Sequence, residues 1–105
     1  MYLSWVIPAY NEEKRIEKTL REVDAYLRSK NFSGGYEIIV ADSSSKDRTQ
    51  EIVKNLASFI SNLSFLIVEN KGKGFAVKQG MLSAKGDIRL FSDADNATSP
   101  EHFNK

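Results

Sequence analysis

The 105-residue sequence predicts a three-layer α/β domain built on a parallel sheet of strand order 3-2-1-4, with helices on both faces. Three observations predict it. Four short apolar runs rich in β-branched and aromatic residues recur along the chain, and stretches of helical period separate them. Three of those runs are nearly continuous in apolar character, as strands covered on both faces are. Strand–helix alternation implies right-handed crossover connections and a parallel sheet, and the expected spatial order puts the first strand between the second and the fourth.

The first strand is "LSWVI" (3–7), and Pro8 is expected to stop its pairing and fix the exit of the chain. Ile16, Leu20, Val23 and Leu27 then form one apolar stripe of a helix. Asn11 is its expected N-cap, with Glu12 and Glu13 at the positive end of the helix dipole. The loop "NFSGGYE" leads into the second strand, "EIIVA" (37–41). Ser45 and Asp47 open a second helix carrying Ile52, Leu56, Phe59 and Ile60. The third strand is "SFLIV" (64–68). A third helix follows from about Lys73 to Ala84, with Val77, Met81 and Ala84 on one side and Gly86 as its end. Arg89 interrupts the apolar pattern of the fourth strand, "IRLFS" (88–92), and Ser99, Pro100 and Glu101 open a fourth helix.

A hydrophobic share of 41% is enough for a real core. The formal charge is +1, with Lys and Arg interleaved among Asp and Glu, so no basic face for nucleic acid is expected. No apolar run reaches the ~20 residues of a membrane span, and no leader-like segment precedes the first strand; a cytoplasmic setting is expected. The chain has no cysteine, which excludes disulfides and thiolate metal sites.

In open α/β sheets, ligands bind beyond the carboxyl ends of the strands, where the strand order reverses. Here that point lies between strands one and four, where "PAYNEE" and "DADNAT" meet, with "DSSSKD" as neighbour. In extended backbone, residues i and i+2 face one side, so Asp93 and Asp95 present their carboxylates together. Mg²⁺ or Mn²⁺ relieves their repulsion and takes its remaining ligands from water and phosphates. The plain alternative is a solvated acidic turn. Ala9 and Tyr10 at the strand tip suit a flat ligand, and Glu12 either caps the helix or holds a ribose hydroxyl. Asp42 either accepts a bond from a base or ribose, or begins an Asx-turn into Ser43 and Ser44. Gly72 and Gly74, flanked by Lys71 and Lys73, make either a diphosphate cradle at a helix start or a plain glycine turn.

In this order, "VIPAYNEEKRIEKTL", "EIIVADSSSKDRTQEIV", "ENKGKGFAVKQGMLSAKGD" and "LFSDADNATSPEHF" resemble the amino-terminal half of a family 2 glycosyltransferase. That family has the GT-A fold with a Rossmann-like nucleotide-binding half, and the chain looks most like its dolichyl-phosphate glucosyl- and mannosyltransferases. The resemblance implies a nucleotide-diphospho-sugar donor, a divalent metal, a polyprenyl or dolichyl phosphate acceptor, and inversion at the sugar carbon. It implies that Pro8, Ala9, Tyr10 and Glu12 hold the base and ribose, that Asp42 bonds the base, and that Lys73 sits near the donor phosphates. Asp93 and Ala94 would border the ribose and metal, and Asp95 would bind the metal bridging the diphosphate. No catalytic residue is assigned. "DADNAT" and "NKGKG" look nearer to the glucosyl branch, which favours UDP-glucose over GDP-mannose.

Two departures stand out. Ser43 and Ser44 replace the family's usual second aspartate and glycine, and Ala97 stands where some relatives have a metal-binding glutamine. Residues 1–105 are thus expected to form the nucleotide-sugar-binding part of a glycosyltransferase domain truncated at its carboxyl end, on the cytoplasmic face of a membrane in a full-length protein. An exposed fourth strand offers an edge for a homo-oligomer. The alternatives are a nucleotide-binding module without catalysis and a haloacid-dehalogenase-like phosphatase with Asp93 as nucleophile and Asp95 as general acid.

Overall fold

A computed structural model describes residues 2–30 and 34–92. The expected fourth helix, with Asp93, Ala94 and Asp95, lies outside the described residues. The elements are β1 (Leu3–Ala9), α1 (Ile16–Lys30), β2 (Tyr36–Asp42), α2 (Thr49–Ala57), β3 (Leu63–Ile67), α3 (Lys73–Ser83) and β4 (Ile88–Phe91). All strand pairs are parallel, and the order is β3-β2-β1-β4, as the alternation predicts.

Strand alternation divides the core into two layers. Leu3, Trp5 and Ile7 of β1 and Ile38 and Val40 of β2 face α1 and α2, where Ile16, Leu20, Val23, Leu27, Val53 and Leu56 close over them. Val6 and Ile39 point to the other side and pack with Ala84, Met81 and Leu66. The reversal of direction after β3 puts α3 on that second side, because each crossover keeps its right hand. At Gly80 an added Cβ would run into Val6 Cγ1, so the backbone of α3 lies directly against β1.

This close approach corrects the predicted stripe of the third helix. The small residues Ala76 and Gly80 are buried against the sheet, whereas Val77 and Met81 are only half-buried. Gly86 lies beyond the α3 C-cap, Ala84, and its place is one of close contact. A Cβ there would sit 2.6 Å from the Ser4 backbone nitrogen. Arg89, which breaks the apolar pattern of β4, turns back to the helix end. Its Nε donates to the Gly86 carbonyl and its guanidinium to the Met81 carbonyl.

Pro8 does not end β1. The Leu3 N–H donates to Gly35 and the Ala9 carbonyl accepts from Ser43, so the odd positions of β1 bond towards β2. The Val6 carbonyl accepts from the Ser92 N–H, so the even positions, Pro8 among them, face β4. The missing donor therefore falls on the β4 side, where pairing stops at Val6↔Phe91, while pairing with β2 runs on to Ala9↔Asp42.

One helix start and one helix end also differ from expectation. The first carbonyl of the turn leading into α1 belongs to Glu12, which accepts from the Arg15 and Ile16 amides; Asn11 lies outside it with φ 51°. Helix α2 ends at Ala57, so Phe59 falls beyond it, 80% exposed, and Val53 takes the core position instead. Among the described residues no helix is long and apolar enough to cross a membrane.

Candidate functional site at the carboxyl edge of the sheet

The parallel register gathers three strand ends. Ala9 pairs with Asp42, so β1 and β2 finish level with each other. On the other flank β4 leaves beside β1: the Ser92 N–H donates to the Val6 carbonyl, and the Trp5 indole N–H donates to Ser92 Oγ at 2.8 Å. Ser92, the last described residue here, therefore lies beside β1. Asp93, Ala94 and Asp95 lie outside the described residues.

The turn after β1 buries Pro8 and Ala9 and leaves Tyr10 40% exposed. Its amides run to the loop after β2. The Asn11 N–H donates to Ser45 Oγ at 2.8 Å, Glu12 N–H to Thr49 Oγ1 at 2.8 Å, and Glu13 N–H to Asp47 Oδ2 at 3.2 Å. In return, the Lys46 N–H donates to Asn11 Oδ1 at 2.9 Å. Asn11 thus joins the two loops instead of capping α1. The half-buried Glu12 carboxylate accepts from Arg15 Nε at 3.2 Å.

Asp42 is 1% exposed, and its carboxylate is well supplied with donors. Oδ1 accepts from the Ser45 hydroxyl at 2.6 Å, and Oδ2 from the Ser45 N–H at 2.8 Å and Gln50 Nε2 at 2.9 Å. The Asx-type turn is formed, but it closes on Ser45 rather than on Ser43 or Ser44. Ser43 instead extends the strand ladder to Ala9. Ser44 has φ 56°, in the left-handed region that favours glycine. Its hydroxyl donates to the Val68 carbonyl at 2.7 Å, which ties the turn to the end of β3.

Asp47 lies at the start of α2. Partial burial works against its charge, but bonds from the Thr49 hydroxyl, the Thr49 N–H and the Glu13 N–H outweigh that and hold its carboxyl below the usual range. The positive end of α2 favours the same charge.

Lys73 is the exposed first residue of α3, after Gly72 with φ 98°. It opens the helix that follows β3 in the chain and packs across β2 and β1. Lys71 lies over the Phe75 ring, 5.3 Å from its centroid, and pairs with Glu69 at 3.6 Å. Among the described residues no group of three or more His, Cys, Asp or Glu gathers for a metal.

Sequence reasoning missed Ser45, Thr49 and Gln50 as supports of this edge. The signal was the length of the polar run "DSSSKDRTQ", more than a simple helix cap needs.

An open parallel sheet with helices on both faces and its loops knitted together at one carboxyl edge defines a doubly wound α/β domain. The chain belongs to glycosyl transferase family 2, whose family model matches residues 4–105. It is 44% identical to the dolichyl-phosphate beta-glucosyltransferase ALG5A of Trichomonas vaginalis, over 98% of this chain and 33% of that protein. It is 39% identical to the human dolichyl-phosphate beta-glucosyltransferase, over 91% and 32%. The chain therefore spans about a third of the length of the curated relatives it matches. Among solved structures, S. aureus TarS 1-349 superposes with TM-score 0.75 at 28% identity, covering 90% of this chain and 28% of that one. The mannosyltransferase PcManGT from Pyrobaculum calidifontis, in complex with GDP-Man and Mn²⁺, gives 0.74 at 31% identity, covering 89% and 27%. Both show the GT-A glycosyltransferase architecture for this sheet.

Proposed function

We propose that residues 1–105 are the nucleotide-sugar-binding part of a glycosyltransferase that moves glucose from UDP-glucose to dolichyl or another polyprenyl phosphate. The observation that carries this reading is the meeting of three strand ends at one edge: the Tyr10 turn, the buried Asp42 and the exit of β4 towards Asp93. The names of the relatives support glucose and dolichyl phosphate, and the solved neighbours include a UDP-GlcNAc complex as well as the GDP-Man complex.

In this reading Tyr10 lies against the base, with Pro8 and Ala9 forming the close floor beneath it. Glu12 turns from Arg15 to a ribose hydroxyl, and Asp42 offers the base its remaining lone pairs. Lys73, at the start of α3, faces the diphosphate across the width of β2. Asp93 and Asp95 supply the hard oxygen ligands that suit Mg²⁺ or Mn²⁺, with Ala94 between them lining the nucleotide. Such an ion, when bound, offsets the charge that develops on the departing nucleoside diphosphate. A phosphate acceptor is already anionic, so the chain's own task is to hold the donor and exclude misaligned poses rather than to remove a proton. The place of the full-length protein is then the cytoplasmic face of a membrane, where its lipid acceptor resides. The family match favours this over the phosphatase alternative, which needs its acidic pair on the first strand rather than after β4.

Titration calorimetry with UDP, GDP, UDP-glucose and GDP-mannose, with and without Mn²⁺, tests the reading. Uridine nucleotides are expected to bind best, more tightly with metal, and Asp95→Asn to remove the metal dependence. Equal, metal-indifferent binding of all four ligands would refute it.

A further inference from the structure

We infer that Ser45 is a positioning residue whose hydroxyl couples the turn bearing Tyr10 and Glu12 to the Asp42 carboxylate, so that both loops bind the donor as one unit. The inference rests on the donor-binding reading above. Ser45 Oγ accepts the Asn11 N–H at 2.8 Å and donates to Asp42 Oδ1 at 2.6 Å. A hydroxyl has a single proton, and here Asp42 takes it. The bonds therefore run in one direction, from the Asn11 amide through the hydroxyl to a carboxylate, and the charge at the end strengthens the chain.

Around this joint the second loop also holds the first at Asn11 Oδ1 and at the Glu12 and Glu13 amides, but none of those bonds reaches Asp42. Asn11 adopts φ 51°, a region costly for a residue with a side chain, and both its amide and its Oδ1 are held by the second loop. Glu12 is placed by Thr49, whose own hydroxyl is oriented by Asp47. Asp42, by contrast, keeps the Ser45 N–H and Gln50 if the hydroxyl is lost. Both of those bonds fall on Oδ2, so losing the hydroxyl leaves the buried Oδ1 without that donor and costs some stability, while water replaces the bond at the exposed Asn11 turn. What is removed is the link from the Asn11 amide through Ser45 Oγ to the Asp42 carboxylate.

The test compares wild type, Ser45→Ala and Ser45→Thr in UDP and GDP titrations with Mn²⁺, alongside thermal unfolding and amide hydrogen exchange. Ser45→Ala is expected to weaken UDP binding about tenfold, the equivalent of one hydrogen bond of about 1.4 kcal/mol, with a fall in Tm that Ser45→Thr also recovers. Ser45→Thr, which keeps the hydroxyl, should return affinity to within about twofold of wild type. Unchanged UDP affinity in Ser45→Ala overturns the inference. So does a loss that Ser45→Thr does not restore.

If the wild type binds neither nucleotide, the donor reading fails by itself and exchange decides the coupling. The Lys46 amide is held by Asn11 and not by the Ser45 hydroxyl. Faster exchange at Lys46 as well as Asn11 in Ser45→Ala upholds the coupling, and unchanged protection at Lys46 overturns it.

Discussion

Asp47→Asn removes a charge from the start of α2 while nearly preserving shape. The carboxylate accepts from the Thr49 N–H at 2.9 Å, from the Thr49 hydroxyl, and from the Glu13 N–H at 3.2 Å. An asparagine keeps one oxygen for Thr49 but turns an NH₂ group towards the Glu13 N–H, which then finds water at that exposed turn. The loss has two parts: a weakened bond to the amide of Thr49, the first residue of α2, worth ~1 kcal/mol, and loss of an anion at a helix N-terminus, about 0.3–1 kcal/mol. Because the side chain is partly solvated, the sum belongs near 1–1.5 kcal/mol, or a fall in Tm of about 5–10 °C for a domain this size.

The pH dependence supplies a second check. The folded-state pKa of Asp47 lies below 3.8, so its contribution is fully present above that value and disappears as pH falls through the lower folded value. Urea unfolding should give a constant gap between wild type and Asp47→Asn at neutral pH, and a shrinking gap below pH 3.8. A variant as stable as wild type at pH 7, or a gap unchanged in acid, would show that Asp47 does not hold the loops as described.

Gly80→Ala puts a methyl group into Val6 Cγ1. The overpacking cost of ~1–3 kcal/mol should exceed the ~1 kcal/mol gained in helix propensity, leaving a net loss near 1 kcal/mol by urea titration. Val6→Ala in the same chain should recover part of that loss, and a stabilised Gly80→Ala would contradict the close packing of α3 on β1. Tyr36→Phe deletes the hydroxyl that donates to Asp24 at 2.7 Å, a bond to a charged acceptor that Arg28 also holds, and should cost about 1–2 kcal/mol. Burial raises the Tyr36 pKa above 10.0, and its bond to Asp24 adds to the rise. The Tyr36 contribution is therefore intact below pH 10 and fades at higher pH, so unfolding curves of the two proteins should converge only in strong alkali.

The sequence by itself determined the order of elements and the layout of the sheet. Near-continuous apolar runs separated by helical periods admit few arrangements, and the order expected among them, β3-β2-β1-β4, is the one formed. It also foretold that Tyr10 and Asp42 stand at strand ends on one edge of the sheet, where β1 and β2 finish level with each other. Only the tertiary structure decided which side of a strand a residue serves and which neighbour takes its hydrogen bonds. Pro8 ends pairing on one flank because its missing N–H faces β4, and Val77 yields to Gly80 because α3 lies against Val6. Asn11 reads as a helix cap in one dimension, yet its partners are Ser45 and Lys46 on another loop. Local propensity describes what a residue offers. The partner that accepts it is fixed by packing between segments distant in the chain.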